Sequence, residues 1–190
     1  MLQYLVLLGG ATNVFCTSYY IRDTLRGCTK PNRVSYLMWT IAPFIGTAAA
    51  LAEGVRWAVL PVFISGLLPL LCLLASFHNP NSYWKLKPFD YLCGFLSLLA
   101  LLLWGITKEP IIAIAFAITS DLFAWIPTFT KSWGHPETES GIGYIGSTIS
   151  GFTGFFAIHA WVFAEYGFPI YMVIANGLLL IAIYRRRLIL

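Results

Sequence analysis

One carboxylate stands deep in a run that is otherwise apolar. Asp121 lies within Ala117-Ile118-Thr119-Ser120-Asp121-Leu122-Phe123-Ala124. A carboxylate at a bilayer centre costs about 2.5–3.5 kcal/mol on insertion scales, so such groups face a bundle interior or a wet cavity. Ala117, Ala124 and Thr128 share its helical stripe, a small and polar strip unlike a lipid-facing surface. There Asp121 can take up and release a proton during a working cycle. Its alternative is to stay a neutral acid that donates one interhelical hydrogen bond as packing glue. Asn13, Ser65 and Asn176 stand about halfway along three other apolar runs. Together the four would form a hydrogen-bonding ring at one depth, suited to a small polar solute. The competing role for Asn176 and Ser65 is interhelical contact, worth about 0.6 kcal/mol for a hydrogen bond. Trp39 and Trp125 lie deep in their runs, where they either stack on a ring-shaped solute or fill the core.

The elements that must position these residues follow from composition. Of 190 residues, 58% are hydrophobic and 11% charged, and mean hydropathy is +0.76. Ordinary soluble chains run near 45–50% apolar and about 25% charged. A hydrocarbon core of about 30 Å needs roughly 20 apolar residues per helix, and seven such runs are available: 2–21, 34–52, 57–77, 89–106, 110–130, 141–161 and 167–184. The expected class is an all-α membrane protein with seven transmembrane helices. A soluble enzyme and a nucleic-acid partner are excluded by this composition, and the bilayer itself is the expected surrounding. Cys16, Cys28, Cys72 and Cys93 show no CxxC spacing, so neither a metal site nor a disulfide framework is expected. His78, His135 and His159 are scattered, no HExxH or Gly-x-Ser-x-Gly motif occurs, and the chain is not expected to be an enzyme or to carry a cofactor. A retinal photoreceptor would need a lysine within 167–184, where there is none.

Cytoplasmic loops collect Lys and Arg. Ten of the 12 basic residues follow odd-numbered runs: Arg22, Arg26, Lys30, Arg33, Lys85, Lys87, Lys131, Arg185, Arg186 and Arg187. Arg56 and Lys108 follow even-numbered ones. The amino terminus is therefore expected outside and the carboxyl terminus in the cytoplasm, where the three terminal arginines meet anionic lipid. The first run is too long for a signal peptide and lacks its basic n-region. With no targeting segment evident, a plasma or inner membrane is favoured.

The chain also repeats itself. Thr12-Asn13-Val14-Phe15 matches Ser120-Asp121-Leu122-Phe123 at an offset of 108. Ser65-Gly66-Leu67-Leu68 matches Asn176-Gly177-Leu178-Leu179 at 111, and Lys30-Pro31 matches His135-Pro136 at 105. Three helices are an odd number, so a second copy would be inverted without one intervening helix. The run 89–106 supplies it. The expectation is a 3+1+3 plan: a first three-helix bundle over 1–78, a loop and linker helix over 79–109, and a second bundle over 110–190. The two bundles are parallel, related by an axis along the membrane normal, and the repeat interface is where transporters bind their solutes.

On these features the sequence resembles the SWEET and PQ-loop group of membrane proteins. The segment Asp121 through Pro127-Thr128-Phe129-Thr130-Lys131 to Glu137-Thr138-Glu139-Ser140 is similar to the family's Pro-Gln segment with its following basic residue and Ser/Thr-Glu pair. Asn176-Gly177 is similar to its last helix, where an Asn lines the sugar pocket. The chain departs from the pattern in having no Pro-Gln dipeptide, in carrying Ser65 where a second Asn would stand, and in lacking an aromatic wall in its sixth run. The resemblance implies a transporter of a sugar or similar polar metabolite working by alternating access, with proton linkage through Asp121 conceivable. Its alternative is a seven-helix receptor or sorting protein that binds without moving its ligand. Assembly into homo-oligomers is compatible with either.

Proline and glycine set where such a bundle can bend. Pro43 and Pro127 interrupt the second and fifth runs and Pro69 the third, each removing a helical hydrogen bond. Pro127, six residues beyond Asp121, is the favoured hinge, with Pro43 second; a static kink is the plainer alternative. The sixth run is dense in glycine, at Gly141, Gly143, Gly146, Gly151 and Gly154. Trp57, Trp84, Trp133, Trp161 and Tyr166 fall near run ends and fit an interfacial belt.

Overall fold

The computed structural model describes residues 5–52, 60–106, 110–158 and 161–188, which are all-helical with no strand among them. Seven α-helices follow in order: α1 (Leu5–Leu25), α2 (Arg33–Ala52), α3 (Leu60–His78), α4 (Pro88–Ile106), α5 (Pro110–Gly134), α6 (Gly141–Gly154) and α7 (Phe163–Leu188). Trp57, Lys108, Arg56 and His159 lie outside the described residues, as do the side chains of Arg186 and Arg187.

Local chemistry sets the helix ends. α1 stops because Gly27 takes a left-handed φ of 79°. Its N–H then donates to the Thr24 carbonyl at 3.0 Å, and the Cys28 N–H to the Asp23 carbonyl at 2.8 Å, the paired bonds of a Schellman terminus. Asn79 Nδ2 donates to the Leu25 carbonyl at 2.9 Å, which ties the loop after α3 to the end of α1. Asn32 caps α2, its Oδ1 accepting from the N–H groups of Val34 and Ser35 at 3.1 and 3.3 Å. Asp90 closes the first turn of α4 by accepting from the Lys87 N–H at 2.6 Å while its own N–H donates back at 2.9 Å.

Two helices differ from expectation. The run 141–161 is α-helical only to Gly154 and then tightens into a 3-10 turn over Phe155–Ala157. Glycine is a poor helix former, and Gly151 and Gly154 fall where the helix ends. The 14 residues of α6 rise about 21 Å at 1.5 Å each. α7 is longer than expected at both ends and contains Pro169, a proline the sequence reading passed over. By length and composition one stretch among the described residues can cross a membrane, Tyr166–Arg185 in α7; Phe63–His78 and Pro88–Leu103 are shorter apolar helices.

The packing has an exchange symmetry. α3 packs on α1 and α2, and α7 packs on α5 and α6; between the two groups α1 packs on α6 and α5 on α2. Replacing α1, α2 and α3 by α5, α6 and α7 maps this set of contacts onto itself. α4 stands outside the pattern, against α5 and α2. The α1–α6 seam is drawn close by glycine. A Cβ at Gly146 would lie 2.6 Å from Cys16 Cβ and 3.1 Å from Asn13 Cα. The stripe Gly9, Cys16, Thr17 and Tyr20 of α1 is buried.

Small polar side chains are buried beside an apolar core that includes Tyr20, Leu73, Trp125, Leu179 and Ile183, and many large apolar side chains are exposed. Ser35, Ser76, Ser97, Thr128 and Ser132 are buried, whereas Leu7, Leu8, Phe15, Phe77, Phe95, Leu102 and Ile106 are among the large apolar side chains that are exposed.

Candidate functional site

A cavity of about 170 Å³ lies among α1, α2, α3, α5, α6 and α7. Pockets for drug-sized ligands run about 300–1,000 Å³, so this one suits a smaller guest. Asn13, Ser65, Asp121, Asn176, Trp39 and Trp125 all line it, as does Pro43; Pro127 does not, being buried behind the wall. The four mid-helix polar residues that the sequence pattern grouped thus line one space.

Asp121, Asn13, Asn176 and Trp125 are each held by a hydrogen bond. Asp121 Oδ2 accepts from the Tyr171 hydroxyl at 2.5 Å. The buried Trp39 indole N–H approaches the same carboxyl without completing a hydrogen bond. Asn13 Oδ1 accepts from Ser147 Oγ on α6 at 3.2 Å and from Thr17 Oγ1 at 3.3 Å. Asn176 Nδ2 donates to the Met172 carbonyl at 2.8 Å, one turn back on its own helix. Trp125 Nε1 donates to the Ala175 carbonyl at 3.1 Å and its ring stacks on Phe129 at 4.6 Å. That bond pins α5 to α7 beside Asn176.

The end of the cavity toward the basic loops is closed by residues the sequence reading did not select. Tyr20, Tyr36 and Tyr144 form its floor. Tyr36 and Tyr144 meet hydroxyl to hydroxyl at 3.4 Å, and the Tyr20 ring stacks on Tyr36 with centroids 5.9 Å apart. Beneath them Glu139 Oε2 accepts from Tyr20 at 2.8 Å and from Tyr144 at 3.3 Å. Glu139 Oε1 is ion-paired with Lys131, both side chains being almost wholly buried. Lys131 also donates to the Lys30 carbonyl and lies over the Trp84 ring at 5.5 Å. Trp84 is thus part of this packing. One signal in the sequence could have found the floor: Tyr36 and Tyr144 are 108 residues apart, the offset of Asn13 and Asp121.

Further bonds tie the same end across the two groups of helices. Thr128 Oγ1, just after Pro127, donates to Ser35 Oγ on α2 at 2.9 Å. The Lys30 N–H donates to the Thr138 carbonyl at 2.8 Å. A second hollow of about 540 Å³ opens at this end, lined in part by Asp23, Cys28, Thr29 and Glu139. Glu139 borders this hollow through its main chain, its side chain being buried, while Tyr20 and Tyr144, bonded to that side chain, line the cavity. One layer of side chains divides the two spaces.

Among the described residues no group of three or more His, Cys, Asp or Glu is placed to hold a metal ion, and the four cysteines are free, with Cys28 exposed and the others buried. The chemistry this wall offers is hydrogen bonding, aromatic contact and one carboxyl group. Comparison with family models, with curated proteins and with solved structures found no match for the chain.

Proposed function

We propose that the chain is an integral membrane transporter that moves a small polar solute by alternating access, built on the 3+1+3 plan of the SWEET and PQ-loop group. The observation that carries this reading is the position of the cavity: it sits between two exchange-symmetric groups of helices, and one tyrosine and carboxylate layer separates it from a second hollow. A rocking motion of the two groups has that layer to break and remake.

Membrane residence is supported by the apolar exterior around buried hydroxyls, since contiguous exposed apolar surface marks a membrane or partner contact. The distribution of basic residues puts Glu139 and Lys131 at the cytoplasmic end, with the amino terminus outside. In this conformation the described residues close the cytoplasmic side. Lys131 and Glu139 would form the lock on this side, since opening it parts a buried pair and returns both charges to water.

The test is uptake by sealed vesicles that contain the purified chain, against vesicles without it, over a panel of sugars, amino acids, nucleosides and small amines. Saturable uptake of one class supports the reading. Saturable binding without uptake of anything bound favours a receptor or sorting protein on the same plan.

A further inference from the structure

The charges around the cavity are one-sided. Asp121 is the charged side chain on its described wall, and no Lys, Arg or His among the described residues is ion-paired with it. Lys131, beneath the floor, is spent on Glu139 beyond the tyrosine layer. Tyr171 supplies a neutral hydrogen bond to Oδ2 from α7, and the Trp39 N–H approaches from α2. A buried carboxylate without a cationic partner is expensive. That cost is relieved either by a proton on the carboxyl group or by a cation that enters the cavity.

The rest of the wall suits a cation as well. Trp39, Trp125, Tyr36 and Phe168 surround the space with aromatic rings, whose faces attract ammonium groups, worth about 0.5–2 kcal/mol each depending on desolvation. Among the described residues no cationic side chain lines the cavity to receive a carboxylate or phosphate. An anionic guest would meet Asp121 with nothing to offset it.

From this we infer that the cavity takes a small organic cation, with its ammonium group against Asp121 and its carbon substituents against the aromatic rings. The inference rests on the proposed reading of the cavity as a solute site, and it narrows the solute from polar metabolites in general to amines and quaternary ammonium compounds. Cation and proton then compete for one carboxyl group, which makes exchange of one for the other the simplest coupling.

The experiment compares choline with 3,3-dimethylbutan-1-ol, its uncharged carbon analogue of nearly the same shape, by calorimetric titration of the detergent-solubilised full chain at matched ionic strength. Glucose and acetate are run beside them. Choline is expected to bind at least about tenfold more tightly than the alcohol, and Asp121→Asn to remove that preference. Because the choline pair reads charge on the wild-type protein, the result does not depend on the variant folding. Equal binding of the two, tighter binding of glucose, or no binding by any of the four overturns the inference. Uptake of a neutral sugar with no effect of choline would leave the transport reading standing while this one falls. Tight choline binding with no flux would do the reverse.

Discussion

Tyr36 and Tyr144 touch through their hydroxyls at 3.4 Å, 108 residues apart in the chain and one step from each other under the exchange of α2 for α6. The same spacing separates Asn13 from Asp121, and both pairs face one cavity. Symmetry is kept in position and given up in chemistry. The tyrosine pair is alike on both sides, whereas one amide and one carboxyl occupy the other pair.

The buried lock beneath those tyrosines gives the first prediction. Lys131→Met or Glu139→Leu alone should lower unfolding stability in detergent by about 3–5 kcal/mol, since each leaves an uncompensated buried charge. The double variant should recover most of that loss. Thermal unfolding of the three proteins decides it, and additive losses would mean that the two side chains do not form a coupled pair.

Tyr20→Phe removes the 2.8 Å hydrogen bond to Glu139 while keeping the ring. Hydrogen bonds to charged groups contribute about 1.5–3 kcal/mol. The closed arrangement should weaken by a similar amount, seen as faster cytoplasmic-side labelling of a cysteine introduced at Ser147. Unchanged labelling would show that the layer does not act as a gate.

Glycine contacts offer a paired test of the α1–α6 seam. Gly146→Ala should destabilise by about 1–3 kcal/mol through overpacking, because its new methyl meets Cys16 and the α1 backbone. Gly177→Ala meets nothing within 4 Å. It should be neutral or stabilising by up to about 1 kcal/mol.

If Asp121 binds a proton or a cation in turn, cation binding weakens as pH falls from 8 to 5, because protonation removes the charge that attracts it. Flux into sealed vesicles should then change over that range in the wild type. In Asp121→Asn it should be flat.

Sidedness can be read chemically. Cys28 is the exposed cysteine and sits between Arg26 and Lys30 in a loop assigned to the cytoplasm. A membrane-impermeant maleimide should label the chain in inverted vesicles and leave it unlabelled in intact cells; labelling of intact cells would reverse the assignment.

How far the sequence could be followed depended on whether a feature was local. The apolar runs end at charges, prolines and glycines, so most observed helices begin and end within a few residues of them. Asn13, Ser65, Asp121 and Asn176 stood out because a polar group in an apolar run is rare, and a repeat of about 108 residues grouped them. The Lys131–Glu139 pair was illegible for the opposite reason. Both residues stood in the segment that resembles the family's basic residue and Ser/Thr-Glu pair, but their pairing did not show there, and Tyr20 meets Glu139 across 119 residues of chain, a contact that no local pattern announces. The end of α6 at Gly154 was missed because a glycine-dense run is still apolar in composition.

No described side chain of α4 lines the cavity, yet the helix is fastened beside it. Ser120 Oγ donates to the Ser97 carbonyl on α4 at 2.9 Å, and the two hydroxyls lie 3.1 Å apart. The next residue along is Asp121. A shift of α4 along or across α5 is thus delivered, one peptide away, to the bearing of the cavity's carboxyl group. On the proposed 3+1+3 plan, the connector between the two groups of helices is also a lever on the charge between them.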